Sequence, residues 1–369
     1  MESEHPGRFE DVVASPSGAI HLAWHTGASL LVRGNGYLSS SHDGGSTWQE
    51  MKIAPDWGSF DFLSILPSGR LVAGSTMDLP QHWWFSPRLW WSDDDGTNWH
   101  YQDVQTDYDP LEENSLHVEE PKAMVEHQGK LIVWVRERTS APPPSHGFDI
   151  RDRLYYWDQN GAALSRLPIV LPTTGPLAVQ ADYQFSALAT GQNGYLYLAI
   201  EGEVFRTSDA LSWEALPRAN EGAQVMSLTV LADGTLVAGL DNQENVYFYK
   251  DGLGWRQALL PEDQENADKS LSRAYSVGHI IELQSGALLV AAEDLVYASC
   301  DVGENWEQIA ALPEARTYQP NRLTQSPDGT VWGSFIALNL GSSGTSSFSG
   351  KLLKIPPPAG VAARDFIKC

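Results

Sequence analysis

Three stretches of the chain repeat one short phrase: Ser41-His-Asp43-Gly-Gly45-Ser-Thr-Trp48, Ser92-Asp-Asp94-Asp-Gly96-Thr-Asn-Trp99 and Ser299-Cys-Asp301-Val-Gly303-Glu-Asn-Trp306. Each reads Ser-x-Asp-x-Gly-x-x-Trp, four fixed residue types that average usage would bring together about once in a thousand chains of this length. Three copies are an internal repeat, and a repeat decides the architecture before any single residue is weighed. The phrase has the chemistry of a tight hairpin. Asp bonds backbone N–H groups two residues on, Gly supplies the positive φ, and Trp covers the turn with a large apolar face.

A second repeat runs beside the first. Short apolar stretches break at a turn glycine and resume at Gly18, Gly69, Gly129, Gly194, Gly234, Gly286 and Gly329. The intervals of 51, 60, 65, 40, 52 and 43 residues each suit a four-stranded blade plus variable loops. Weaker copies of the phrase, Thr207-Ser-Asp209-Ala-Leu-Ser-Trp213 and Tyr249-Lys-Asp251-Gly-Leu-Gly-Trp255, support the intervening blades. The expected fold is therefore all-β, a single β-propeller over residues 1–369 with seven blades, and six as the alternative count. Residues 1–7 look too few to supply a full exchanged strand that would close the ring.

The phrase resembles the Asp-box, or BNR repeat, and the chain is similar to the sialidase-like β-propeller superfamily. In that superfamily the box staples the outer hairpin of a blade, on the face away from the ligand. The resemblance thus implies a fold and a working face. With turn glycines and boxes both at the bottom, the B–C and D–A loops and the starts of the A strands share the top. In the first two blades about ten extra residues separate glycine from box, and these fall in top loops. One of these loops carries His82, Trp83, Trp84 and Phe85, an aromatic platform suited to sugar rings; a further top loop carries His146.

Sialidases bind a carboxylate with three arginines and use a Tyr nucleophile paired with a Glu, plus an Asp acid/base. Arginine forks grip a carboxylate bidentately, and a neutral Tyr attacks an oxocarbenium-like centre without charge repulsion. Here Arg8 lies ten residues before Gly18, Glu120 nine before Gly129, and Arg136 seven after it, all resembling the family spacing. Tyr275 resembles the nucleophile but stands two residues further from its glycine than the family has it. The third arginine is Arg322 or Arg273, and Asp61, at the start of a blade, is the candidate acid. The Ile-Pro that follows the family's first arginine is missing.

Two function classes follow. The first is a glycan-active enzyme acting on an acidic sugar at the top-face centre. It is either a retaining hydrolase built on Tyr275, Glu120 and Asp61, or a polysaccharide lyase with His82, His146 or His279 as base. The second is a non-catalytic propeller binding carbohydrate or protein, lectin-like or part of a phage or other larger assembly. Convergence of Arg8, Glu120, Arg136 and Tyr275 at the axis would favour the enzyme, and self-pairing the binder.

Composition narrows the partners. Lys+Arg 24 against Asp+Glu 47 leaves a net charge of −23, which argues against nucleic acid and against an anionic membrane. No cofactor is expected and no metal, because no His/Asp/Cys cluster has ligand spacing. Cys300 and Cys369 imply no disulfide framework. No signal region or membrane-length apolar run is visible, so the expected chain is soluble, cytoplasmic or exported by a non-classical route.

Overall fold

The computed structural model describes residues 2–5, 7–26, 35–52, 58–78, 84–106, 117–140, 148–158, 163–169, 171–172, 184–241, 245–261, 277–292, 294–312, 318–340, 346–357 and 367. Among them the regular structure is all strand, β1 to β28, with no helix.

Strand β1 (Glu2–His5) stands apart and is taken up below. Blade one is β2–β5 (Arg8–Ala14, Ile20–His25, Gly36–Ser41, Gln49–Lys52), and blade two is β6–β9 (Gly58–Ile65, Leu71–Asp78, Trp84–Ser92, His100–Asp103). Blade three is β10–β13 (His117–His127, Lys130–Ser140, Phe148–Trp157, Leu164–Arg166). Blade four is β14–β17 (Phe185–Thr190, Leu196–Ile200, Glu203–Thr207, Glu214–Ala215). Blade five is β18–β21 (Val225–Val230, Leu236–Leu240, Asn245–Lys250, Gly254–Leu259) and blade six β22–β25 (Val277–Glu282, Leu288–Ala292, Leu295–Ser299, Glu307–Ala311). Blade seven is β26–β28 (Tyr318–Gln325, Val331–Leu340, Ser346–Ile355), completed by β1, which pairs antiparallel with β28. The ring is thus closed by an N-terminal strand of four residues, fewer than the sequence reading required.

The seven inner strands touch in unbroken succession, β26 against β2 included. The hydrophobic core shows the same count. It divides into seven clusters, each filling one interface between neighbouring blades. A blade is therefore buried on both faces, which is why second strands such as β3, β15, β19 and β23 are buried at every residue. Outer strands such as β5 and β9 face solvent. Blades two and three are further joined by parallel pairing of β8 with β10, at His117↔Trp84 and Val118↔Phe85.

The bottom-face turns follow the sequence reading. All seven turn glycines lie between φ 73° and 94°, a region that a Cβ disfavours. In the repeated phrase, the Ser41 hydroxyl donates to Asp43 Oδ1 at 2.9 Å and accepts Gly45 N–H at 2.8 Å, while Thr47 N–H donates to the same carboxylate at 2.8 Å. The Ser92 and Ser299 turns repeat these bonds. Cys300, inside the last of them, is disulfide-bonded, a cross-link that the cysteine count did not suggest.

Candidate functional site

Each inner strand carries one β-bulge, and all seven fall at the same place. The register skips Glu10, Asp61, Lys122, Ser186, Met226, Gly278 and Asn321. Each lies eight residues before its turn glycine (Glu10 before Gly18, Asp61 before Gly69), except Lys122, which lies seven before Gly129. A bulge re-aims a side chain and is a common device at barrel rims and binding sites. Here seven bulges put six side chains and Gly278 around the top of the ring, opposite the face of the turns.

The ring they form is uneven. Blades one to three contribute charges, and blades four to seven contribute Ser186, Met226, Gly278 and Asn321. On the charged side, Lys122 Nζ lies 3.5 Å from Asp61 Oδ1 and 3.0 Å from Glu120 Oε2. Arg138 Nη2 meets the same Glu120 oxygen at 3.1 Å. Asp61 also accepts the Thr76 hydroxyl at 2.5 Å. Glu10 is held by Arg8 Nε at 2.7 Å and by His25 Nε2 at 3.0 Å. Burial works to raise the Glu10 pKa, but the His25 bond and the charges of Arg8, His25 and Lys122 outweigh it and hold the carboxyl below its ordinary range. Since one ammonium touches both Asp61 and Glu120, their nearest oxygens lie no more than about 6.5 Å apart.

The cluster is layered. The Arg8, Lys122 and Arg138 side chains keep 26, 24 and 29 % of their surface, against 14, 9 and 8 % for Glu10, Asp61 and Glu120. Carboxylates form the buried floor, and cations face the opening.

Just below the ring, the residue after the bulge fastens one blade to the next in blades one, five, six and seven, through Asp11, Ser227, His279 and Arg322. Asp11 Oδ2 accepts Leu63 N–H at 2.9 Å, and Arg322 approaches Asp11 Oδ1 at 3.7 Å. Burial pushes the Asp11 carboxyl up to about 6, against the pull of Arg322 and the Leu63 amide. His279 Nδ1 accepts Leu323 N–H at 3.2 Å, and burial followed by the Arg322 charge lowers its pKa to about 3. That bond and that pKa make His279 a neutral fastening between blades six and seven.

The sequence candidates separate into three groups. Asp61 and Glu120 meet through Lys122, and Arg8 stands beside them on Glu10. Arg136 is turned elsewhere: its Nε and Nη2 grip the buried Asp152 at 2.9 and 2.8 Å, and Nη2 also donates to Phe185 O at 2.9 Å. Asp152 further accepts Trp134 Nε1 at 2.8 Å and Phe185 N–H at 2.6 Å, so this pair clamps blade three to blade four. Arg322 lies lower in the channel, with Ser64 Oγ at 3.5 Å. Tyr275, Arg273, His82, Trp83 and His146 lie outside the described residues. Trp84 opens strand β8 rather than sitting in the loop before it, and its side chain is outside the described set.

Lys122 and Arg138 had no place in the sequence expectation. The offset from the turn glycine, applied to every blade and not only to arginines and tyrosines, finds Glu10 and, one residue short, Lys122; Arg138 lies outside it, in the second strand of blade three.

A cleft of about 630 Å³ opens on the same face over blades three to five, with Ser186, Met226 and Arg136 in its lining. A roomier cleft of about 910 Å³ lies on the opposite face among the turns of blades one to three. Its cations are already engaged: Arg70 is held bidentately by Asp93, at 2.6 and 3.0 Å, and Lys130 sits over the Tyr156 ring. The cations of the top mouth are engaged too, by Glu10, Asp61 and Glu120; what sets that face apart is that charges from three successive blades meet there. Among the described residues no group of three or more metal-ligating side chains converges, and no helix is long and apolar enough to cross a membrane.

No protein-family model matches the chain, and no curated protein matches it. Solved structures do. The chain is similar to a streptogramin B lyase, at a TM-score of 0.57 and 13 % identity, covering 96 % of this chain and 98 % of that one. It is also similar to YCF48 from Cyanidioschyzon merolae, at 0.55 and 10 %, covering 95 and 98 %. A looser likeness, at 0.46 and 13 % over 95 and 98 %, is to the Penicillium chrysogenum alpha-L-arabinanase complexed with arabinobiose. The fold is a β-propeller. At these identities the likeness extends to the fold alone, and activity must be argued from the site.

Proposed function

We propose that this propeller acts on an acidic glycan held at the top mouth of its channel, by the charged arc of blades one to three. The observation that carries the reading is the layering of that arc. In a chain of net charge −23, the exposed tier of the mouth is Arg8, Lys122 and Arg138, over a buried tier of carboxylates. A sugar carboxylate entering there meets two guanidinium forks and an ammonium. Beneath them Glu10, Asp61 and Glu120 hold those cations in place.

This reading keeps the chain, over residues 1–369, as a single propeller of the sialidase-like, Asp-box type, with Arg138 taking the place first given to Arg136. In its catalytic form Asp61 and Glu120 are the carboxylate pair. With their nearest oxygens no more than about 6.5 Å apart, the two can face one bound sugar. Tyr275 remains the proposed nucleophile, and a lyase would instead recruit a histidine of the top loops. A second reading, a carbohydrate-binding propeller without chemistry, draws support from the pairing of Arg8 with Glu10 and of Arg136 with Asp152.

Mass spectrometry after incubation with sialylated and uronic-acid glycans, alongside calorimetry, tests both. We expect binding that Lys122→Met weakens at least tenfold, about 1.4 kcal/mol. A released sugar lost in Tyr275→Phe supports hydrolysis, and an unsaturated product supports a lyase. Binding without product leaves the lectin-like reading. Binding that ignores Lys122 sinks the site.

A further inference from the structure

Resting on the glycan reading above, we infer that the cleft over blades three to five is an extension subsite, where further sugar units of the same chain lie across Met226. The mouth and the cleft are contiguous. Glu120 and Arg136 are direct cross-strand partners in β10 and β11, and Glu120 belongs to the charged arc while Arg136 lines the cleft. Ser186 and Met226 are the bulge residues of the next two blades, so the ring itself leads from Lys122 into the cleft.

The lining has the two characters that a sugar ring needs. Met226 is 41 % exposed, unusual for a large apolar side chain at the position where blades one to three place charges. It offers a deformable apolar floor for the less polar face of a pyranose. Around it stand Gln184, Ser186, Gln224 and Arg218, donors and acceptors for the equatorial hydroxyls. At about 630 Å³ the cleft falls in the range of small-ligand pockets.

One wall is preformed. The turn between β15 and β16 places Glu201 at φ 47° and Gly202 at φ 83°. A Cβ on Gly202 would run into the Ala223 carbonyl, so this turn is seated directly against the segment that enters blade five. Both Glu201 and Ala223 line the cleft. A wall fixed before the ligand arrives lowers the ordering cost of binding.

The test is calorimetry on the whole chain with unbranched uronic-acid oligosaccharides of one to six units, and with the matching sialic-acid series. We expect affinity to climb about tenfold from one unit to the longest members, and Met226→Glu to bring that ratio close to one. Lys122→Met should instead lower affinity along the whole series. A native ratio near one, or a ratio that survives Met226→Glu, overturns the extension subsite and leaves the mouth standing. No binding at any length in either series overturns the glycan reading and the subsite together.

Discussion

At the bottom of the ring the seven turn glycines occupy equivalent positions with φ from 73° to 94°, and the Ser41, Ser92 and Ser299 turns close with one set of bonds. At the top, seven equivalent bulges carry Glu10, Asp61, Lys122, Ser186, Met226, Gly278 and Asn321. The backbone device repeats at both ends, but the side chains repeat only at the bottom. Repetition there serves closure of each blade, which asks the same thing seven times. Divergence at the top makes an asymmetric mouth, and only an asymmetric mouth can orient a ligand about a ring of equivalent blades. The place where a repeat keeps its geometry and abandons its composition is the place to look for function.

The comparison breaks first if the top-face ion pairs are ordinary scaffold. Asp152 gives one standard of scaffold: fully buried, with four bonds to Trp134, Arg136 and the Phe185 amide. Asp152→Ala strands a guanidinium and an indole N–H, and should cost about 3–5 kcal/mol in urea unfolding. Lys122→Met, at the mouth where the lysine side chain keeps 24 % of its surface, should cost less stability and mainly affinity. Equal losses of stability at the two positions would erase the distinction between clamp and site.

Asp11 gives a smaller effect with a sign. Its native pKa of about 6 lies above the ordinary value, so near pH 5 the folded state holds a proton that the unfolded chain has lost. Its contribution therefore favours folding at low pH and is lost as pH rises through 6. Asp11→Asn keeps an acceptor for Leu63 N–H and removes the ionisation. It should be the more stable protein at pH 8, by up to about 3 kcal/mol, with the advantage gone below pH 4. Paired melting curves across that range check it, and an advantage that grows on acidification would reverse the assignment.

Much of the fold was legible because turns are local. Gly18 or the Ser41–Trp48 phrase can be read from a few adjacent residues, and seven turns implied seven blades. Ring closure was not legible, because Glu2–His5 carries no pattern of its own and pairs with residues some 350 positions away. At the candidate site, Arg8 and Glu120 were proposed from offsets to the turn glycines, and Asp61 from its place at the start of a blade. Arg136 satisfied its offset equally well and proved to be a clamp, because its partner Asp152 comes from a different strand that no spacing within β11 predicts. Lys122 was overlooked for a related reason. Its meaning depends on Asp61 of the neighbouring blade, and alternation along β10 conceals the bulge that turns it inward.

The smallest effect sharpens the comparison from the other end. Ser299 is buried, and its hydroxyl accepts Gly303 N–H at 2.8 Å while donating to Asp301 at 2.9 Å. Ser299→Ala leaves that amide without its acceptor and should cost about 1 kcal/mol. Ser41→Ala and Ser92→Ala remove the same pair of bonds in blades one and two and should cost similar amounts. The three turns share no bonding partner, so their losses should add within about half a kcal/mol in the triple variant. Glycan affinity at the mouth should not move, since these turns join the two outer strands of each blade at the bottom face and the bulges lie at the top of the inner strands. A triple variant that is less stable yet binds as before would show that the repeated end sets the fold alone. A loss of affinity would mean that the bottom turns also set the position of the bulges, and the two faces would have to be treated as one unit.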